Sequence, residues 1–301
     1  MVALATLRGV EIMGMNRTRL AALSLLSFLA LIGLHSTAQQ SGSRLGEREG
    51  WTLTFQDEFS EPYNTAVDAS KWGFEFGANG WGNNELQFYT NTRRNAIQDG
   101  SGRLLIRARQ EPKDTPYVCA YAMPCEYTSA RLLTRGIFSQ RYGRFEARMR
   151  VPVGQGLWPA FWLLGANFAE VGWPQSGEID IMENIGREPT LAHGTIHGPG
   201  YSGAQALGTP VSLAGNARFT DGFHVFAVEW QQDEIRWYLD DQLYATRTPK
   251  DLPQGSSWVF DEPMYLILNL AVGGDWPGNP DQTTAFPANL LVDYVRVYTK
   301  N

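Results

Sequence analysis

The chain has 301 residues, a formal net charge of −6, two cysteines, 10 Trp and 31 Gly. It carries no basic cluster, which argues against nucleic acid as a partner, and no Cys/His spacing of the kind that holds zinc. The Gly content points to many turns, and the excess of Trp to flat apolar faces used for stacking.

The first segment reads as a targeting signal. Met15-Asn16-Arg17-Thr18-Arg19 is a short basic stretch, and Leu20 to Leu34 is an uncharged apolar run. Ser36-Thr37-Ala38 then places small residues before a cleavage point after Ala38. At about 15 residues the run is short for a membrane span, which needs roughly 20. We therefore expect a signal peptide over residues 1–38, a short polar linker over 39–48 and one domain over 49–301. Export would be to the periplasm or the medium. No later apolar run is long, so no membrane span is expected in the mature chain, which should act as a monomer.

The elements that follow have a period of two. Trp51 to Phe55 alternates polar and apolar residues, and Cys119 and Cys125 are near enough to form a local disulfide in an exported chain. Arg144 to Val151 alternates as a strand with one wet face does. Phe223 to Trp230 and Met264 to Val272 are apolar on both faces, as central strands would be. Between them, Glu234 to Leu239 and Gln242 to Thr246 flank Asp240-Asp241, which reads as a hairpin. Leu291 to Tyr298 closes the chain as a strand. Loops are expected over 73–84, 110–125, 166–175, 198–216 and 273–289, and no sustained helical stripe follows the signal. Many short strands with Gly, Pro, Asn and Asp turns predict an all-β fold, a jelly-roll sandwich of two antiparallel sheets.

The segment Ser176-Gly177-Glu178-Ile179-Asp180-Ile181-Met182-Glu183-Asn184 puts three acids in an otherwise apolar strand. On a regular strand Glu178 and Asp180 share one face and Glu183 points to the other. That would drive an unpaired carboxylate into the core, at high cost. A β-bulge at Ile181-Met182 removes the conflict by adding one residue and returning Glu183 to the face of Glu178. Three acids on one face repel each other, so stability alone does not explain them. Glycoside hydrolysis does: it uses two carboxyl groups flanking the scissile bond. A solvated acidic strand and a calcium site are the competing explanations; calcium prefers loop ligands, and this segment is a strand.

This acidic strand resembles the signature of glycoside hydrolase family 16, in the bulged ExDxxE form of laminarinases rather than the unbulged ExDxE form. The resemblance extends through Gly80 to Gln87, Tyr127 to Leu132, Tyr142 to Ala147, Gly156 to Leu164, Asp221 to His224 and Leu268 to Gly274. It implies a concave substrate cleft and a retaining endo-glycosidase acting on β-1,3-glucans, with mixed-linkage glucan as a further substrate. Glu178 would be the nucleophile, Glu183 the general acid and base, and Asp180 the residue that holds Glu178. Trp158 and Trp162, four apart, would form a sugar platform, and Trp173 would stack on a glucosyl unit. The resemblance also makes Arg131, read as sharing a strand face with Tyr127 and Ser129, and Asn83, Glu85 and His197 substrate contacts, with His197 near the acid/base. His193 matches no named role, His224 reads as structural, and Trp276 as a rim contact. No cofactor is implied for catalysis. A structural calcium on Asp293, with backbone oxygens near Glu58 and Gly102, is a further expectation. Two other functions compete: hydrolysis of agar or carrageenan on the same scaffold, and a non-catalytic glucan-binding lectin. The first would favour a more basic cleft, and the second would not need the acids.

Overall fold

The computed structural model describes residues 46–119 and 123–301; the signal-peptide reading lies outside them. In chain order the strands are β1 (Trp51–Asp57), β2 (Gly73–Phe74), β3 (Gln87–Tyr89), β4 (Ala96–Gln98), β5 (Leu104–Gln110), β6 (Tyr127–Ser129), β7 (Arg131–Leu133), β8 (Gly143–Arg150) and β9 (Leu157–Gly165). There follow β10 (Glu178–Glu183), β11 (Leu191–His197), β12 (Leu207–Ser212), β13 (His224–Gln231), β14 (Glu234–Leu239), β15 (Gln242–Arg247), β16 (Met264–Val272) and β17 (Ala288–Lys300). A single helical turn, α1 (Phe168–Val171), lies before β10.

The strands form two sheets, the jelly-roll sandwich expected. One has ten strands, ordered β15-β14-β13-β8-β17-β5-β6-β3, with β1 paired to β17 and β4 to β5. The other has seven, ordered β12-β11-β10-β9-β16-β7-β2. Pairing is antiparallel except between β3 and β6. The core fills the space between the sheets, with Phe161, Ile179, Ile181, Met182 and Leu268 from the smaller sheet meeting Ile106, Phe145, Phe226 and Val295 from the larger. Each such side chain contributes about 1.5–3 kcal/mol by leaving water.

Three readings need correction. β12 runs through the segment read as a loop over 198–216; Leu207, Thr209 and Val211 are only half-buried there, so its apolar pattern is diluted by Gly208 and Pro210. Tyr127 and Ser129 do not share a face with Arg131, because the chain changes sheets between β6 and β7 at buried Ala130. The polar face of β8 is wet only at its C-terminal half, where Arg148 and Arg150 are partly exposed; Arg144 and Glu146 are buried. Arg144 is fully buried and pairs with Glu146 at 2.7 Å, Asp241 at 2.7 Å and Glu229 at 3.3 Å. β8 lies between β13 and β17, so the buried charges are neutralised by neighbours instead of by water. Cys119 and Cys125 are joined as a disulfide.

Candidate active site

The expected bulge is present in β10. Asp180 pairs with Trp162 and Glu183 with Ala160 across β9, so three steps on β10 face two on β9, with the shift between Asp180 and Met182. Ile181 and Met182 both turn into the core, at 1% and 0% exposure. Glu178, Asp180 and Glu183 consequently share the outer face of the seven-stranded sheet. The backbone there is braced across the sandwich: Trp237 of β14 donates its indole N–H to the Asp180 carbonyl at 2.8 Å. Gly194 makes room for that indole, since a Cβ there would lie 2.4 Å from Trp237 Cδ1.

These acids line a cleft of about 1090 Å³. Its floor alternates along each strand: Trp158, Ala160, Trp162 and Leu164 from β9, and His193, Thr195 and His197 from β11. All seven residues expected to contact substrate reach it, Trp158, Trp162, Trp173, Arg131, Asn83, His197 and Glu85, as do His193 and Trp276.

Each glutamate accepts an indole N–H. Trp158 Nε1 donates to Glu183 Oε1 at 3.0 Å and Trp173 Nε1 to Glu178 Oε2 at 2.9 Å. Both tryptophans thus orient carboxylates as well as offering apolar faces. His197 Nε2 lies 3.1 Å from Asp180 Oδ2 and 3.7 Å from Glu178 Oε1. His197 is therefore not the histidine beside Glu183: it sits opposite Glu178 in register, and His193 opposite Glu183.

At the other end of the cleft, Trp162 Nε1 donates to Asn269 Oδ1 at 2.8 Å, and the Arg131 guanidinium sits between the Trp81 and Trp162 rings, 5.0 and 4.7 Å from their centroids. Asn83, Gln87 and Tyr89 all donate to the Glu85 carboxylate. Trp81, Asn269 and Tyr265 were missed as site residues. Asn269 had a signal, as the one polar residue in the run Met264 to Val272.

Burial and the charge of Asp180 push the Glu178 carboxyl up to about 8, against the opposing pull of His197 and the Trp173 N–H. Glu183 is held well above the usual carboxylate range by burial, then by Asp180 and by Glu178 itself. A charge on either glutamate opposes ionisation of the other, so the pair resists losing both protons. His197 rises to about 9: burial opposes its charge, but Asp180 and the two glutamates outweigh burial. The Gly203 N–H pointing at Nδ1 favours the neutral ring instead. At 3.2 Å and exposed, that contact is weak beside a buried carboxylate, and the carboxylates decide.

Glu178, Asp180 and His197 also bring ligand atoms within 4.8 Å of one another. A metal on His197 Nε2 would leave the proton on Nδ1, facing the Gly203 N–H, so the donor set suits a metal poorly. The expected calcium position is far from this floor. β1 pairs with β17 up to Val295 and β5 from Val292 down, leaving a gap on that edge at the Asp293 bulge. Glu58 and Gly102 lead into the gap from β1 and β5. Among the described residues, neither carbonyl accepts a backbone hydrogen bond. Asp293 Oδ2 accepts from Arg148 at 2.6 Å, leaving Oδ1 for a cation. The hard oxygen donors fit calcium.

A β-sandwich with paired, proton-retaining carboxylates on the floor of a tryptophan-lined cleft defines a polysaccharide-processing scaffold. The chain belongs to glycosyl hydrolases family 16, whose family model matches residues 83–295. It is 45% identical over 259 residues to a β-glucanase of Rhodothermus marinus, covering 82% of this chain and 85% of that one. It is 39% identical to glucan endo-1,3-β-glucosidase A1 of Niallia circulans over 83% of this chain, but spans 38% of that protein's length. The endo-β-1,3-glucanase structure from Pyrococcus furiosus superposes with a TM-score of 0.77 at 47% identity, covering 83% of this chain and 95% of that one.

Proposed function

We propose that the chain hydrolyses internal β-1,3-glucosidic bonds in β-glucans, with retention, through Glu178 and Glu183. The observation that carries this reading is the bulge, which puts both carboxylates on one cleft floor where burial and mutual repulsion favour one of them keeping its proton. Glu178 attacks the anomeric carbon as the C–O bond breaks, and Glu183 passes its proton to the departing oxygen. A water then gives a proton to Glu183 and attacks the same carbon, releasing Glu178. Asp180 holds Glu178 in place through their shared contact with His197. The indole faces of Trp158, Trp162 and Trp173 stack on sugar rings, and Arg131, Asn83 and Glu85 contact their hydroxyls. The β-glucanase and endo-1,3-β-glucosidase relatives support the linkage.

Reducing-sugar release from laminarin, lichenan, agarose and carrageenan tests this. Laminarin should be cut fastest, and Glu178→Gln should lower kcat by roughly 10³-fold or more, as loss of a nucleophile does. Binding without release would instead identify a lectin, and faster cutting of agarose or carrageenan a different linkage.

Export through the residue 1–38 signal and action as a monomer belong to the same reading, checked by the N-terminus and size of the exported chain. So does a calcium held by Asp293 and the Glu58 and Gly102 carbonyls, clipping the β1–β5 gap together. Chelation should lower Tm by several degrees without changing activity at low temperature, and Asp293→Ala should remove that sensitivity. Equal melting with and without chelator would rule the clip out.

A further inference from the structure

A second concavity, of about 460 Å³, lies on the other side of the sandwich and is lined by Tyr63, Asn64, Thr92, Arg93, Arg94, Arg107 and Arg109. On β5, Ile106 and Ala108 point into the core at 0% exposure, so Arg107 and Arg109 project outward from the ten-stranded sheet. The cleft opens on the outer face of the seven-stranded sheet, so the two sites are on opposite faces.

The sequence shows no basic cluster, but the fold brings four guanidiniums from two segments into one groove, on a chain of net charge −6. One acid, Glu111, sits among them, bonded to Arg94 at 2.9 Å and lying 3.8 Å from Arg109. Arg93 donates to the Asn64 carbonyl and Arg107 to the Asn289 side chain. The Arg109 Nε is buried with no hydrogen-bond partner. Each guanidinium has five donors, so most donors in the groove are uncommitted. All four cations are Arg, whose planar fork fits carboxylate or sulfate oxygens in pairs. Beside them Tyr63 is 75% exposed, and the Asn64 amide and the Thr92 hydroxyl line the same groove. A ring to stack on, polar groups for hydroxyls and forks for anions together describe a charged sugar chain. The groove lies on the opposite sheet from the cleft, so it is not an extension of the substrate site.

We propose that the groove binds an anionic polysaccharide, carrying carboxylate or sulfate groups, and tethers the enzyme to a matrix in which its neutral substrate is embedded. Affinity electrophoresis of the full chain through gels containing polygalacturonate, dextran sulfate or neutral dextran tests this. The two polyanions separate carboxylate from sulfate recognition. At least one should retard the protein at low salt, and neutral dextran should not. Arg93→Gln with Arg107→Gln should weaken retardation by about tenfold or more, with a shallower salt dependence. Tyr63→Ala should weaken it without changing the salt dependence. Arg218→Gln, which removes a charge elsewhere on the surface, should leave it unchanged. Laminarin hydrolysis should be the same in all four proteins, so loss of the tether is separable from failure of the hydrolase reading. No retardation by either polyanion, or an equal loss in the Arg218 variant, overturns the proposal. So does complete release by dilute inorganic sulfate, which would reduce the groove to a counter-ion site.

Discussion

At Glu178, burial, Asp180, His197 and Trp173 all act on the same proton. Burial and the Asp180 charge disfavour ionisation, while His197 and the indole N–H favour it. A retaining mechanism needs Glu178 ionised and Glu183 protonated together, so the acidic limb of the kcat/KM profile reports Glu178. Asp180→Asn keeps the side chain's shape but removes a negative neighbour. The Glu178 carboxyl then ionises at lower pH, and the acidic limb should move down, with kcat lower because positioning is impaired. His197→Gln removes a positive neighbour, and the limb should move up. Profiles measured on one soluble laminarin oligosaccharide decide it. A shift of both variants in the same direction would mean that Glu178 does not set the limb.

The bulge matters at the scale of the strand. It was legible from the sequence because an acid at an odd offset cannot face the core unpaired, so Glu178 and Glu183 forced an extra residue between them. Deleting Ile181 restores simple alternation, leaving Glu178, Asp180 and Glu183 on one face. That variant should keep measurable laminarin hydrolysis while losing about 2–5 kcal/mol of stability, because a buried side chain leaves the core. Inserting Ala between Met182 and Glu183 turns the glutamate inward instead, and activity should fall to that of Glu183→Gln. Denaturant melts and initial rates on the two variants separate the effects. Other parts of the site were less legible because they depend on which strands become neighbours. Nothing along β11 says that His193, not His197, faces Glu183; the β10–β11 register decides it. Arg131 was readable as a cleft residue, but its place between Trp81 and Trp162 joins segments about fifty and thirty residues away. The burial of Arg144 was invisible for a related reason, since its partners Glu229 and Asp241 come from β13 and the turn after β14.

At the scale of the molecule, the sandwich holds charges where water would otherwise relax them. Core packing and the Trp237 brace hold the backbone under the carboxylates, and the Trp158 and Trp173 indoles hold the two glutamate side chains close despite their repulsion. That rigidity costs stability in a pH-dependent way. The Glu178 carboxyl titrates near 4.5 when unfolded and at about 8 in the fold. Between those values the folded state binds more protons than the unfolded chain, so stability falls as pH rises across that window. His197 has the same sign: its contribution is complete below about 6.5 and is lost as pH rises through about 9. Glu178→Gln removes the first effect and, with Asp180 still 3.1 Å from His197, leaves most of the second. The variant should melt with the parent near pH 4.5, then gain on it steadily and hold a Tm advantage of roughly 10 °C or more above pH 8, at about 1.4 kcal/mol per pH unit of the window and about 2–4 °C per kcal/mol for a domain of this size. Scanning calorimetry of both proteins across that range measures the difference directly. A constant offset, or an advantage confined to acid pH, would show that Glu178 is not held ionised against the fold, and the mechanism would then lack the strained carboxylate that makes its nucleophile reactive.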